Sequence, residues 1–326
     1  MRRLISYSLQ SFSAIGHGIE NTLGKEHASI VYIILNVLIL FSAMAFTRIH
    51  NGEFSSLQGQ FWRGCLHCLL TYIVLQEENI PIAINDPKKE RFRLLRGFLG
   101  GGQVIFVFLS LKKLSISDVY IVQTSVTPLF TGIYDWIILK NKYNKSEISL
   151  ALVSIIGVTM IVKPDLFLAS EVSTQATTSF YAEGTERLLW IVMLIIVQAI
   201  WCLGGIVLKM LAGMHPIQVS YHYGLLCCLL SSIAMVATGE YQIISWGLTL
   251  QVILVFGFGG FLNQVVFVKA FQLGKPGKMG LLMNLFVVCG FLFEIFYLEE
   301  YPSFIKSTGA VIVLVCSVMI ALQKFK

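Results

Sequence analysis

The chain has 326 residues, 56% of them hydrophobic and 13% charged, with a mean hydropathy of +0.76 and a formal net charge of +6. A soluble domain carries about 25% charged residues, so these figures exclude a water-soluble globular protein, a disordered chain and a collagen-like one. The seven cysteines sit mostly inside apolar runs, without the even spacing of a secreted disulfide scaffold.

One membrane-spanning helix takes ~20 mainly apolar residues. Ten such runs follow one another, at 28–48, 54–75, 94–112, 116–139, 146–163, 188–211, 216–237, 245–271, 277–298 and 303–322. They are continuously apolar and do not alternate at period two, which predicts an all-α integral membrane protein of ten transmembrane helices and not a β-barrel. Ahead of them, residues 1–27 are expected to be a cytosolic tail. Arg2, Arg3, Leu4, Ile5, Leu9, Phe12 and Ile15 are spaced there as a basic amphipathic helix. The tail lacks the apolar core of a cleavable signal, and no acid precedes Glu20, a trait shared with organelle-targeting segments.

Within the spans, polar residues are rare enough to be read one by one. Arg63 interrupts the second run, in Phe61-Trp62-Arg63-Gly64. A charge near mid-bilayer costs ~2.5–3.5 kcal/mol on insertion scales, so Arg63 must face a partner or a watery cavity, or snorkel to the interface. In the fourth run Thr124, Thr127, Thr131 and Asp135 recur at steps of three, four and four and so share a helix face, with Gln123 alongside. Pro128 lies in that face and frees the carbonyl of Thr124. The sixth run adds Gln198 and Trp201, the seventh His222, the eighth Asn263 beside Gln264, and the ninth Asn284 and Glu294. These residues either line a substrate cavity or tie helix to helix, at ~0.6 kcal/mol per bond. Asp135 and Glu294 read as gating or proton-coupling carboxylates, or as interfacial acids at helix ends.

Lysine and arginine set the orientation. With ten spans the termini share a side, and that side collects sixteen basic residues against six on the other. Both termini are therefore expected in the cytosol, anchored most strongly by Lys88, Lys89, Arg91, Arg93 and Arg96, with loop 164–187 on the opposite face and 323–326 as the cytosolic C-terminus.

A shift of 159 residues aligns the two halves without a gap. It sets Gly100-Gly101 on Gly259-Gly260, Val107-Phe108 on Val266-Phe267, Leu114 on Leu273, Asp135 on Glu294, Arg63 on His222 and Cys68 on Cys227. Five spans per half is an odd number, so the copies enter the membrane from opposite sides. Inverted repeats of this kind are characteristic of secondary transporters, whose site lies near the midplane.

The runs Leu94-Leu95-Arg96-Gly97, Thr127-Pro128-Leu129-Phe130-Thr131, Trp136-Ile137-Ile138-Leu139-Lys140, and Gly157-Val158 followed by Ile161-Val162-Lys163-Pro164 resemble the EamA repeat. The chain is similar to the drug/metabolite transporter superfamily, nearest the G-type branch of solute carrier family 35. The resemblance covers 28–322 and implies two EamA repeats, 28–163 and 188–322. It departs from the family pattern at Val287-Val288, where a proline is frequent, and at Asn141, where a glutamate is; Glu299 supplies that acid in the second half. It implies export or exchange of small polar metabolites, amino acids or nucleotide sugars.

The remaining motifs carry no chemistry. The glycine runs 100–102 and 257–260 follow no strand, so helix packing and not phosphate cradling is expected of them. Cys65-Leu66-His67-Cys68 lacks a second pair at metal spacing, and Asn144-Lys145-Ser146 is a sequon on the cytosolic side. No nucleophile-elbow, zincin, dinucleotide or Walker motif occurs. The expectation is a secondary transporter working by alternating access on a small polar or anionic metabolite, with no catalytic residue, metal or cofactor. Its expected partners are that molecule and the lipid bilayer, with a homodimer left open and nucleic acid excluded. Two other readings stand beside it: a non-transporting subunit of a membrane complex, and an intramembrane transferase using His67 with His222.

Overall fold

The computed structural model describes residues 2–50, 53–111, 113–114, 116–142, 144–162, 184–297 and 304–322; the side chains of 2–17 and of some helix residues, Thr124 and Glu294 among them, fall outside that description. Most of the expected 164–187 loop and the 323–326 terminus lie outside it as well. Among the described residues every regular element is a helix: α1 Arg2–Ile49, α2 Ser56–Glu77, α3 Pro87–Leu111, α4 Ile116–Ile138, α5 Lys145–Val162, α6 Gly184–Met210, α7 Pro216–Thr238, α8 Trp246–Val252, α9 Gly259–Leu273, α10 Pro276–Leu282, α11 Leu285–Tyr297 and α12 Phe304–Leu322. Among the described residues five stretches are long and apolar enough to cross a membrane, at Glu20–Thr47, Thr185–Met210, Pro216–Thr238, Trp246–Leu273 and Pro276–Tyr297, and Phe304–Ile320 is a shorter apolar helix. Their outer faces are apolar at helical spacing. Leu225, Leu229, Ile233 and Val236 form one exposed stripe, and Val311, Leu314, Val315, Val318, Met319 and Leu322 another. An exposed apolar stripe of that length fits lipid and not water.

Helix ends follow their capping residues. Ser55 accepts from the Leu57 amide and Ser245 from the Leu248 amide. Asp86 accepts from Lys88 ahead of Pro87, and the Glu147 carboxylate reaches back to the Asn144 amide in a capping box. α7 starts on Pro216 and stops at Gly239 in the left-handed conformation, φ 66°. Inside α1, Gly24 has φ 77° and ψ 158°, so the tail helix and the first apolar helix meet at a kink. The expected run 245–271 contains a π-helical segment at Ile253–Phe258, and the run 277–298 breaks at Met283 and Asn284 into α10 and α11. Three-residue bonds tighten that break, from Asn284 N to Leu281 O and from Val287 N to Asn284 O. The span matching the Pro128 helix is thus interrupted without a proline.

The helices gather into two compact units that interleave the halves of the chain, residues 1–102 with 207–275, and 103–206 with 276–326. In the first, α2 packs antiparallel on α7 through two glycines. A Cβ on Gly64 would lie 2.7 Å from Cys228 Cα, and one on Gly224 would lie 3.0 Å from the Cys68 amide. The Cys65 and Cys228 sulfurs sit 3.1 Å apart at this crossing. α1 packs on α9, and Leu70, Val74, Leu75, Ile217 and Phe261 form a buried cluster. In the second unit α5 packs on α12, where a Cβ on Gly157 would meet Gly309 O at 3.0 Å, and Val158, Val287, Val288, Ala310 and Val313 fill the contact.

Three basic residues of the expected cytosolic count are buried, not solvent-facing. Arg93 (1% exposed) hydrogen-bonds the Ile82 carbonyl and the Glu90 carboxylate, and Arg96 (2% exposed) is enclosed within the first unit. Lys278 pairs with Glu147 at 3.0 Å, with both groups nearly inaccessible. The basic asymmetry of the sequence survives their removal, because burial takes only three of the sixteen.

Two outcomes check this packing. Gly64→Ala is expected to lower the thermal unfolding midpoint of the detergent-solubilised chain, because a backbone clash cannot be relieved by a rotamer, whereas Gly102→Ala, with nothing within 4 Å, leaves it unchanged. Lys278→Met should destabilise by ~3–5 kcal/mol through an uncompensated Glu147, and adding Glu147→Gln should recover most of that loss. Equal midpoints for the single and double variants would show that the pair is not desolvated.

Candidate functional site

The first unit holds an arginine centre. Arg63 on α2 is half-buried and threads past α9 at Gly260, where a Cβ would lie 2.6 Å from Arg63 Cγ. Its Nη2 donates to Asn263 Oδ1 at 3.0 Å. Asn263 is itself locked: its Nδ2 donates to Asn36 O at 2.9 Å, and Asn36 Nδ2 donates back to Asn263 O at 3.2 Å. The Arg63 guanidinium stands 5.9 Å from the centre of the Tyr223 ring. Arg96 on α3 approaches the same ring at 5.4 Å and the Phe267 ring at 5.5 Å. A Cβ on Gly100 would collide with Arg96 Nη1 and lie 2.7 Å from Tyr223 Cδ2, so the glycine one turn on makes room for the guanidinium.

The electrostatics of this centre are unbalanced. Among the described residues Arg96 Nε, Arg96 Nη1 and Arg63 Nε are buried without a hydrogen-bond partner. Two like charges facing one ring repel each other. Cation–π contact returns up to ~2 kcal/mol where the ring and cation are desolvated. It leaves the N–H donors unused, and an arginine presents five in a planar fork. Such an arrangement can take an anion. In the sequence Arg63 and Asn263 read as separate cavity residues; the fold joins them. Arg96 was assigned to a surface anchor, and the signal that marks it as buried is the glycine at i+4.

The polar face of α4 lies in the second unit. Thr127, Pro128 and Thr131 are buried. Gln198 Nε2 donates to Thr127 Oγ1 at 2.8 Å, and Gln103 Nε2 donates to Gln198 Oε1 at 3.1 Å, a partner that sequence reasoning missed. Thr127 Oγ1 donates to Gln123 O at 2.6 Å, Thr131 Oγ1 to Thr127 O at 2.6 Å, and Cys202 lies 3.8 Å from Thr127 O. Threonines that back-bond this way satisfy their own donors and loosen the helix around Pro128. Gly280 on α10 admits the Thr131 hydroxyl. Trp201 is half-buried, and the Thr124 side chain lies outside the described residues. Asn284 donates to Ser154 Oγ at 3.0 Å, tying the helix break to α5. Gln264 is buried with its Nε2 unpartnered.

Asp135 is fully buried. It accepts from Asn141 Nδ2 at 2.6 Å and lies 3.4 Å from the Gly277 amide at the start of α10. Asn141, where a glutamate is frequent in the family pattern, thereby serves as a hydrogen-bond donor to Asp135. The Glu294 side chain lies outside the described residues. The two histidines have separate surroundings. His67 is buried, with Nε2 3.1 Å from Ser220 O and its ring against Tyr223 and Phe261, while His222 packs edge-on to Tyr221 and touches Gly97. Among the described residues no three histidine, cysteine or acidic groups gather at metal distance.

A cavity of about 690 Å³ opens within the first unit between α1, α2, the α6–α7 turn and α9. Glu20 and Lys269 close an ion pair of 2.6 Å on its wall, and the Tyr32 hydroxyl donates to Glu20 at 3.2 Å. Lys209 caps α9 through the Gln272 and Leu273 carbonyls, at 2.9 and 3.1 Å.

Comparison with known proteins places this architecture. The chain is 27% identical over 243 residues to solute carrier family 35 member G1 of Homo sapiens, covering 73% of this chain and 64% of that protein. It is 27% identical over 231 residues to the Mus musculus protein of the same name, covering 70% and 61%. It thus spans less than two thirds of the length of these relatives. A solved crystal structure superposes with a TM-score of 0.72 at 13% identity, over 90% of this chain and 98% of that one, a likeness of fold alone. The EamA-like transporter family matches twice, at residues 27–163 and 188–322. The apolar helices mark an integral, multi-pass membrane protein, and the chain belongs to the EamA-like transporter family.

Proposed function

We propose that the protein is a secondary transporter that carries a small polar or anionic metabolite by alternating access. Ten helices act as spans in this reading, in two inverted five-helix repeats, with both termini in the cytosol. The observation that carries it is the Arg63–Asn263 pair: a half-buried arginine, fixed by an asparagine that is itself clasped to α1, with donors to spare. A purely structural arginine would be expected to spend its fork on carbonyls or a carboxylate. The Thr127–Gln198–Gln103 chain adds neutral hydrogen-bonding groups for the polar part of a cargo.

The reading assigns no catalytic residue, metal or cofactor, and makes the partners a small molecule, the bilayer and, in a homodimer, a second copy. A non-transporting role drew its support from the missing second-half proline, but the α10–α11 break supplies the interruption that the proline would make. A transferase would need its histidines to converge, and their surroundings differ. The bonding of Asp135 supports a fastening role between α4 and α10 over proton coupling.

Two experiments test the proposal. A cysteine at position 88 should label from the cytosolic face and one at position 175 from the opposite face; equal labelling of both from one face contradicts the ten-span topology. In reconstituted vesicles, Arg63→Ala and Arg63→Lys should both weaken uptake of an anionic solute by ~1.5–3 kcal/mol in apparent affinity, the worth of a hydrogen bond to a charged group. Wild-type behaviour of Arg63→Lys would mean that the arginine only snorkels.

A further inference from the structure

We infer that Arg63 and Arg96 together form the recognition site for a doubly charged anion, either a phosphate group or a compact dicarboxylate. This deepens the transport reading and rests on it, by fixing the charge of the cargo. Four observations converge. Both guanidinium groups stand within 6 Å of one ring, that of Tyr223. Arg96 is 2% exposed, yet its Nε and Nη1 have no acceptor among the described residues, and an arginine held in low dielectric without a counter-charge is costly. No carboxylate among the described residues pairs with either arginine, while the acids nearest in sequence are engaged elsewhere, Glu90 with Arg93 and Glu53 with His50. Finally, glycines keep both positions open, Gly260 for the Arg63 stem and Gly100 for the Arg96 head.

The count of charges follows from this arrangement. A monoanion would neutralise one guanidinium and leave the other buried and uncompensated. A dianion satisfies both, and its oxygens can accept from the planar forks in pairs. Asn263 holds Arg63 Nη2, and Arg63 Nε is buried without a partner among the described residues. Arg96 offers Nε and Nη1. Lysine supplies the charge at either position but not the fork, so the site should reject it.

The test is ligand-dependent thermal stabilisation of the purified full chain in detergent, at about pH 8, with inorganic phosphate, succinate and the matched monoanion succinamate as probes. Phosphate or succinate should raise the unfolding midpoint with at least tenfold higher affinity than succinamate; which of the two does so identifies the acidic group. Arg96→Lys should lower affinity for the preferred dianion at least tenfold and erase its advantage over succinamate. Gly100→Ala, which keeps both arginines but fills the space of the Arg96 head, should act in the same direction and decides the matter if Arg96→Lys loses helicity. Absence of dianion binding, equal binding of succinamate, or wild-type binding by a folded Arg96→Lys overturns the proposal. Vesicle uptake on the same preparation separates the two readings. Uptake of some solute without dianion binding removes this inference alone, whereas dianion binding without passage of any solute removes the transport reading and leaves the site.

Discussion

A guanidinium placed inside a low-dielectric helix bundle has to be paired, hydrated or hydrogen-bonded, and the first unit is arranged around that requirement. Arg63 enters past a glycine, is gripped by one asparagine and faces one tyrosine; Arg96 enters past another glycine to the same tyrosine. The Asn36–Asn263 clasp joins α1 to α9 and at the same time orients the acceptor that Arg63 uses. The approach of α2 to α7 and to α9 is close at Gly64, Gly224 and Gly260, where a Cβ would meet the neighbouring helix.

The second unit solves a different problem with neutral groups. Its one deeply buried ion pair, Lys278 with Glu147 among the described residues, sits next to the α10 terminus that Asp135 also contacts. Both contacts fall in the first turn of α10 and tie it to α4 and α5. The α4 face is instead a relay of amide and hydroxyl groups around Pro128, with Gln198 bonded on both its donor and its acceptor side. Neutral bonds of this kind are individually modest and are cheap to exchange for bonds to a polar solute.

How far the sequence could be read depended on what kind of information each feature carries. The apolar runs located the helices, because the length of a span is set by the bilayer and reads directly from composition. Interruptions within runs were hidden: the π segment at Ile253–Phe258 and the break at Met283–Asn284 are changes of hydrogen-bond register, and Leu, Phe and Val look the same on either side of one. Arg63 stood out because it is flanked by apolar residues. Arg96 did not, since Lys88, Lys89, Arg91 and Arg93 precede it on the same helix and draw it into a surface cluster. Its burial depends on Tyr223 and Phe267, more than a hundred residues away, and only Gly100 hinted at it locally. Asn284 was visible as a rare polar residue, but whether it would meet a solute or Ser154 was a matter of tertiary contact.

The central claim is that this fold moves small anions through a site made positive by its arginines. Counterflow in vesicles containing the purified chain tests it most directly. Vesicles are loaded with an unlabelled mixture of organic acids and phosphate, and the transient accumulation of the same compounds in labelled form is followed against an uncharged set of matched size. The account predicts saturable accumulation of one or more anions above protein-free vesicles, with the neutral set at background. Accumulation of the neutral compounds alone, or none above protein-free vesicles for any compound, would contradict it.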